Sequence, residues 1–121
     1  MFQIKYYATL HKKINMNWIA LIVAGIFEIG WPLGLKMSQQ ATSNKSLWIF
    51  VAIASMSISG GLLWYAQKTI PIGTAYAVWT GIGAIGTLTV GIIFFGDSAS
   101  LLRLMAALLI IIGIVGLKFA N

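Results

Sequence analysis

Four stretches of this 121-residue sequence, 18–35, 47–67, 72–95 and 101–119, have the length and apolarity that carry a helix across a bilayer. The requirement is about 20 mainly apolar residues, because a helix rises about 1.5 Å per residue and the hydrocarbon core is about 30 Å thick. Polar or helix-breaking clusters at 36–46, 68–71 and 96–100 bound the stretches. Composition closes off the soluble alternative: 60% of residues are apolar and 8% are charged, against about 25% charged in an ordinary soluble domain. A chain this short cannot hide that much apolar surface from water. The expectation is an all-α integral membrane protein, multi-pass in the cell's inner or plasma membrane.

The short connections make successive helices antiparallel neighbours in a four-helix bundle. Four such helices barely enclose a polar cavity, so the expected functional unit is a dimer of eight. Residues 1–15, MFQIKYYATLHKKIN, are polar and basic and hold no apolar run of signal-peptide length. They read as an N-terminal extension, either an upstream start or a surface arm, ahead of a four-helix transmembrane domain at 16–121. Lysine and arginine set orientation. Lys5, Lys12, Lys13, Lys68 and Lys118 lie on the N-terminal side, with Lys36, Lys45 and Arg103 opposite. Counted from Met16 the balance is two against three, too even to impose one direction, which makes an antiparallel dimer conceivable.

The net charge of +6 comes from bases scattered singly, as anchors to lipid headgroups are, and not gathered on one face for nucleic acid. Without cysteine there is no disulfide or thiolate site, and the single histidine, His11, has no carboxylate near it in sequence. Hydrolytic and redox enzymes therefore lack parts, and no cofactor is expected.

Of the two acids, Glu28 and Asp97, only Glu28 lies within a span. A central acidic residue costs about 2.5–3.5 kcal/mol to insert, so it is expected to face the bundle interior or a water-filled cavity. The bland alternative is a protonated acid bonded between helices, or one paired with Lys36, two turns away. Gly25, Glu28, Trp31 and Leu35 recur at helical spacing, which places a glycine and an indole on the carboxylate's stripe. Pro32 removes a backbone hydrogen bond beside it. Asp97 reads as a loop residue near Arg103, solvated or salt-bridged.

In the third span Gly81-Ile82-Gly83-Ala84-Ile85-Gly86 spells G-x-G-x-x-G. No strand precedes it and it lies at membrane depth, so the glycines read as close-packing positions and not as a dinucleotide fingerprint. Tyr76, Trp79 or Thr80, and Gly83 share a face. Ser55, Ser57 and Ser59 in the second span either bond their own backbone or donate to Glu28. The fourth span holds Ala106, Ala107, Gly113 and Gly116 among aliphatics and reads as a dimerisation helix.

The run AGIFEIGWPLGLK in the first span, with GTAYAVWTGIGA in the third, resembles the small multidrug resistance family from Met16 to Asn121. Trp31-Pro32-Leu33-Gly34-Leu35-Lys36 is similar to its guanidinium-exporting branch, whereas Tyr76 and Trp79 fit both that branch and the quaternary-ammonium branch. The resemblance implies an antiparallel, dual-topology homodimer exchanging protons for small cations, with the glutamates of both subunits in one site. Carried over, Glu28 binds proton or substrate, and Trp31, Ser59, Tyr76 and Trp79 line the site beside Gly25. The first 15 residues have no counterpart in the family, the first loop, through Gln39 to Ser46, is longer than the family's by a couple of residues, and Pro32 departs from its pattern.

One carboxylate can serve two ligands because burial favours its neutral form while donated hydrogen bonds favour its charged form. Guanidinium suits such a site, offering paired N–H donors to the carboxylate and flat faces to aromatic rings. The expected function is proton-coupled guanidinium export. The alternatives are export of quaternary ammonium cations, a passive channel, and a structural subunit of a larger membrane complex.

Overall fold

The computed structural model describes residues 1–120, almost all of them in four helices. These are α1 (Phe2–Gln40), α2 (Lys45–Ala66), α3 (Ile72–Phe94) and α4 (Leu101–Ala120). All four are long and apolar enough to cross a membrane. The expected spans recur with ends shifted by a few residues, except that α1 begins far ahead of Trp18. No glycine or proline interrupts residues 2–24, so the extension continues the helix of the first span, and its residues up to Lys13 are exposed.

Each break has a local cause. Ala41, extended at φ −76° and ψ 137°, leaves α1. Pro71 precedes the first residue of α3, the position at which a missing N–H and a fixed φ cost least. Gly96 takes φ +70°, a value natural to glycine, and the chain folds back so that the Asp97 amide donates to the Gly91 carbonyl at 3.0 Å. That seven-residue closure gives the Gly91 carbonyl, at the end of α3, a second donor beside the Phe95 amide at 3.1 Å.

α1 is the central element, packed on both α2 and α3, while the backbone of α4 lies against that of α3. Glycines make these approaches close. A Cβ on Gly34 would stand 2.9 Å from the Ala52 amide nitrogen and the Trp48 carbonyl oxygen, so α1 lies almost on the backbone of α2. Gly81 faces Ile114 of α4, and Gly86 receives Ile29 of α1. The glycine run is therefore a packing device that points two ways. Gly34→Val is expected to destabilise the bundle by about 1–3 kcal/mol, because backbone atoms cannot step aside. Denaturant unfolding in micelles checks this against Gly61→Ala, whose new methyl would meet open space.

A small core of Leu21, Ala66, Ile70, Ala75 and Val78 fills the end of the bundle nearest Trp18. Asn17, fully buried, donates from Nδ2 to Thr69 Oγ1 at 2.6 Å and ties α1 to the turn before α3. At this end Lys118 sits over the Trp18 ring, 5.7 Å from its centroid, while Lys36 and Asp97 share a cavity at the other end. The sidedness read from the loops is thus present within one subunit. α4 contributes no buried residue.

Candidate functional site

Glu28 sits half-buried on α1 where α3 has no side chain. A Cβ on Gly83 would lie 2.6 Å from Glu28 Cγ, so the glycine is the seat of the acid. Any larger residue there would displace the carboxylate.

α2 brings in Ser59, fully buried. Its hydroxyl lies 2.7 Å from the Ala24 carbonyl oxygen and 3.2 Å from Glu28 Oε2, and it accepts a hydrogen bond from Trp79 Nε1 at 2.7 Å. A hydroxyl has one proton, so Ser59 donates to Ala24 or to Glu28, not to both at once. When the carboxylate is charged, Ser59 can donate to it. When Glu28 carries a proton, that proton can be donated to the Ser59 oxygen while Ser59 turns to Ala24. One rotating hydroxyl thus accommodates both protonation states of the acid.

Of the three candidate serines, Ser57 bonds the Ile53 carbonyl of its own helix at 2.8 Å, and Ser55 lies against Gly30. Ser59 alone reaches Glu28. Tyr76 leans on Trp79 with ring centroids 5.5 Å apart at 58°, and its own side chain is exposed. Gly25 does admit a close approach, but of Ile82, whose Cβ would stand 2.7 Å from an added methyl. Trp31 is half-buried and enters none of the hydrogen bonds at the carboxylate among the described residues. The structure joins Glu28, Ser59, Trp79 and Tyr76, with Gly25 beside Gly83, and does not bring Trp31 into contact with them.

Pro32 stays inside an unbroken α1. Lacking an N–H, it cannot serve the carbonyl four residues earlier, which is that of Glu28 itself. A cavity of about 440 Å³ opens here, lined by Glu28, Pro32, Thr80, Gly83, Thr87 and Asp97 among others. Sequence reasoning placed Gly83 on the face of Trp79 but missed it as the seat of the acid, and left Thr87 unremarked. The i, i+4 spacing of Gly83 and Thr87 was the available signal.

Fold and site together define a small multi-pass membrane protein with one acid set inside the bundle beside a cavity. Residues 16–119 match the family model described as Small Multidrug Resistance protein. The "Guanidinium exporter" of Proteus vulgaris is 49% identical over 106 residues, covering 88% of this chain and 100% of that protein. Those of Yersinia pestis and Salmonella typhimurium are 47% and 46% identical over the same length, covering 88% of this chain and 100% and 99% of theirs. The chain belongs to the small multidrug resistance family, a family of membrane transporters and not of enzymes.

Proposed function

We propose that this protein exports guanidinium in exchange for protons across the inner membrane, as an antiparallel homodimer in which Glu28 is the exchange site. One observation carries the reading: a single acid inside the bundle faces a cavity and shares one hydroxyl, Ser59, that can serve it charged or neutral. A guanidinium ion places its N–H donors on the charged carboxylate, with the carbonyl freed by Pro32 as a further acceptor. The Trp79 and Tyr76 rings provide flat faces for a planar cation. A proton and guanidinium then exclude one another at Glu28, and if only loaded forms reorient, each pH unit supplies about 1.4 kcal/mol per proton. That the relatives named above, alike over nearly their whole length, are each called a guanidinium exporter supports reading guanidinium as the substrate here.

Residues 16–121 form the transporting unit in this reading, and residues 1–15 an extension of α1. The dimer is supported by α4, which buries nothing within the subunit and whose Gly113 and Gly116 face open space. Small residues there let a second α4 approach closely.

Proteoliposomes with a pH-sensitive dye inside test the function. An outward guanidinium gradient is expected to drive proton entry, and tetraethylammonium to compete poorly. A guanidinium flux without proton movement would make the protein a channel. Equal competition by tetraethylammonium would make it a quaternary ammonium exporter.

A further inference from the structure

Both acids of the chain rest on the same face of α3. Gly83 seats Glu28, and eight residues on, Gly91 seats Asp97, whose Oδ2 occupies the place a Cβ of Gly91 would take. Thr87 stands midway, four residues from each glycine. At about 1.5 Å per residue the two seats are about 12 Å apart along the helix. Asp97 is held there by the turn at Gly96, through its own amide bond to the Gly91 carbonyl.

The space between the acids is open. The 440 Å³ cavity at Glu28 and a second of about 280 Å³ at Lys36 both include Pro32, Thr87 and Asp97 in their walls. The two cavities adjoin at these shared residues as a groove along α3, in which Glu28 is half-buried and Asp97 exposed. Two of its polar side chains, Asp97 and Thr87, form no side-chain hydrogen bond among the described residues. Arg103 lines the groove but turns its Nη1 to the Ser98 carbonyl at 2.8 Å, and among the described residues Asp97 forms no ion pair with it or with Lys36. Thr80 and Thr89 donate to carbonyls of their own helix at 2.8 Å. Thr87 has no such bond among the described residues.

We propose that Asp97 is an outer cation station for the same substrate, and that Thr87 is an acceptor step between it and Glu28. The identity of the cation rests on the exporter reading. Guanidinium carries donors and no acceptor, so a path for it needs oxygen lone pairs at intervals, and carboxylate, hydroxyl and carboxylate provide them. Lys36 is exposed on a flexible stem that can extend to the headgroups. Among the described residues, this leaves Asp97 as the only negative charge at the outer end. In an antiparallel dimer each membrane face receives one such station.

Two measurements test the station. In bicelles, guanidinium chloride titrated into Glu28→Gln protein is expected to shift the amide resonances of Gly91 and Asp97 saturably, against sodium chloride at equal ionic strength. The response is expected to vanish in Glu28→Gln/Asp97→Asn, whose remaining resonances report an intact fold. No response in the single variant, or the same response in both, overturns the station. In proteoliposomes, Asp97→Asn is expected to raise the guanidinium KM about two- to fivefold at low salt, the range of an exposed charge pair. High salt should remove the difference, and Asp97→Glu should restore the low-salt value. An unchanged KM at low salt overturns the station. Failure of the exporter reading itself would appear elsewhere, as guanidinium flux through the unaltered protein without proton movement.

Discussion

Glu28→Gln is expected to abolish guanidinium-driven proton movement altogether while leaving the bundle folded. Glutamine keeps the size of the side chain and its place over Gly83, where the added Cβ of any other residue would stand 2.6 Å from Cγ. It can still accept the Ser59 hydroxyl's proton. What it loses is the negative charge that binds a cation and the ability to bind and release a proton. Both halves of the exchange vanish together, which separates this variant from one that only weakens binding. Fluorescence of an internal pH dye during an imposed guanidinium gradient reads the loss. Residual coupled exchange at a tenth of the wild-type rate would place the exchange site elsewhere, because the described spans hold no other acid.

The second large effect is expected at Ser59. Ser59→Ala removes the only hydroxyl that bonds Glu28 among the described residues and leaves the Trp79 indole N–H without its acceptor. Hydrogen bonds to charged groups contribute about 1.5–3 kcal/mol, so guanidinium affinity is expected to fall about 10- to 100-fold. Ser57→Ala is the control two residues away. Its hydroxyl serves only the Ile53 carbonyl of its own helix, and transport should not change. Guanidinium binding by titration calorimetry at several pH values checks both variants. Equal affinities in Ser59→Ala and Ser57→Ala would remove Ser59 from the site.

The contrast between these serines marks where sequence reasoning stopped. Ser55, Ser57 and Ser59 have the same chemistry, and helical spacing alone cannot say which of them another helix will meet. That choice depends on the rotation of α2 against α1, which is fixed where Gly34 lets the Ala52 backbone approach. Gly25 shows the same limit. Its place on the stripe of Glu28 was legible, but what fills the space beside it is Ile82 from α3. Asp97 was legible as a loop residue near Arg103. Its return onto Gly91 needed the turn at Gly96 and the end of α3 in three dimensions.

The sequence by itself determined the solvent, the number of spans, the position of one acid at membrane depth and the family. Those follow from residue-by-residue transfer energies and from local spacing, which need no knowledge of neighbouring helices. Only the tertiary structure decided that Gly83 and Gly91 seat the two acids on one face of α3, with Ser59 and not its neighbours at the first of them. The reason is physical: apolar periodicity sets which face of a helix turns inward, whereas the contact of one helix with another is set by where missing side chains allow backbones to close.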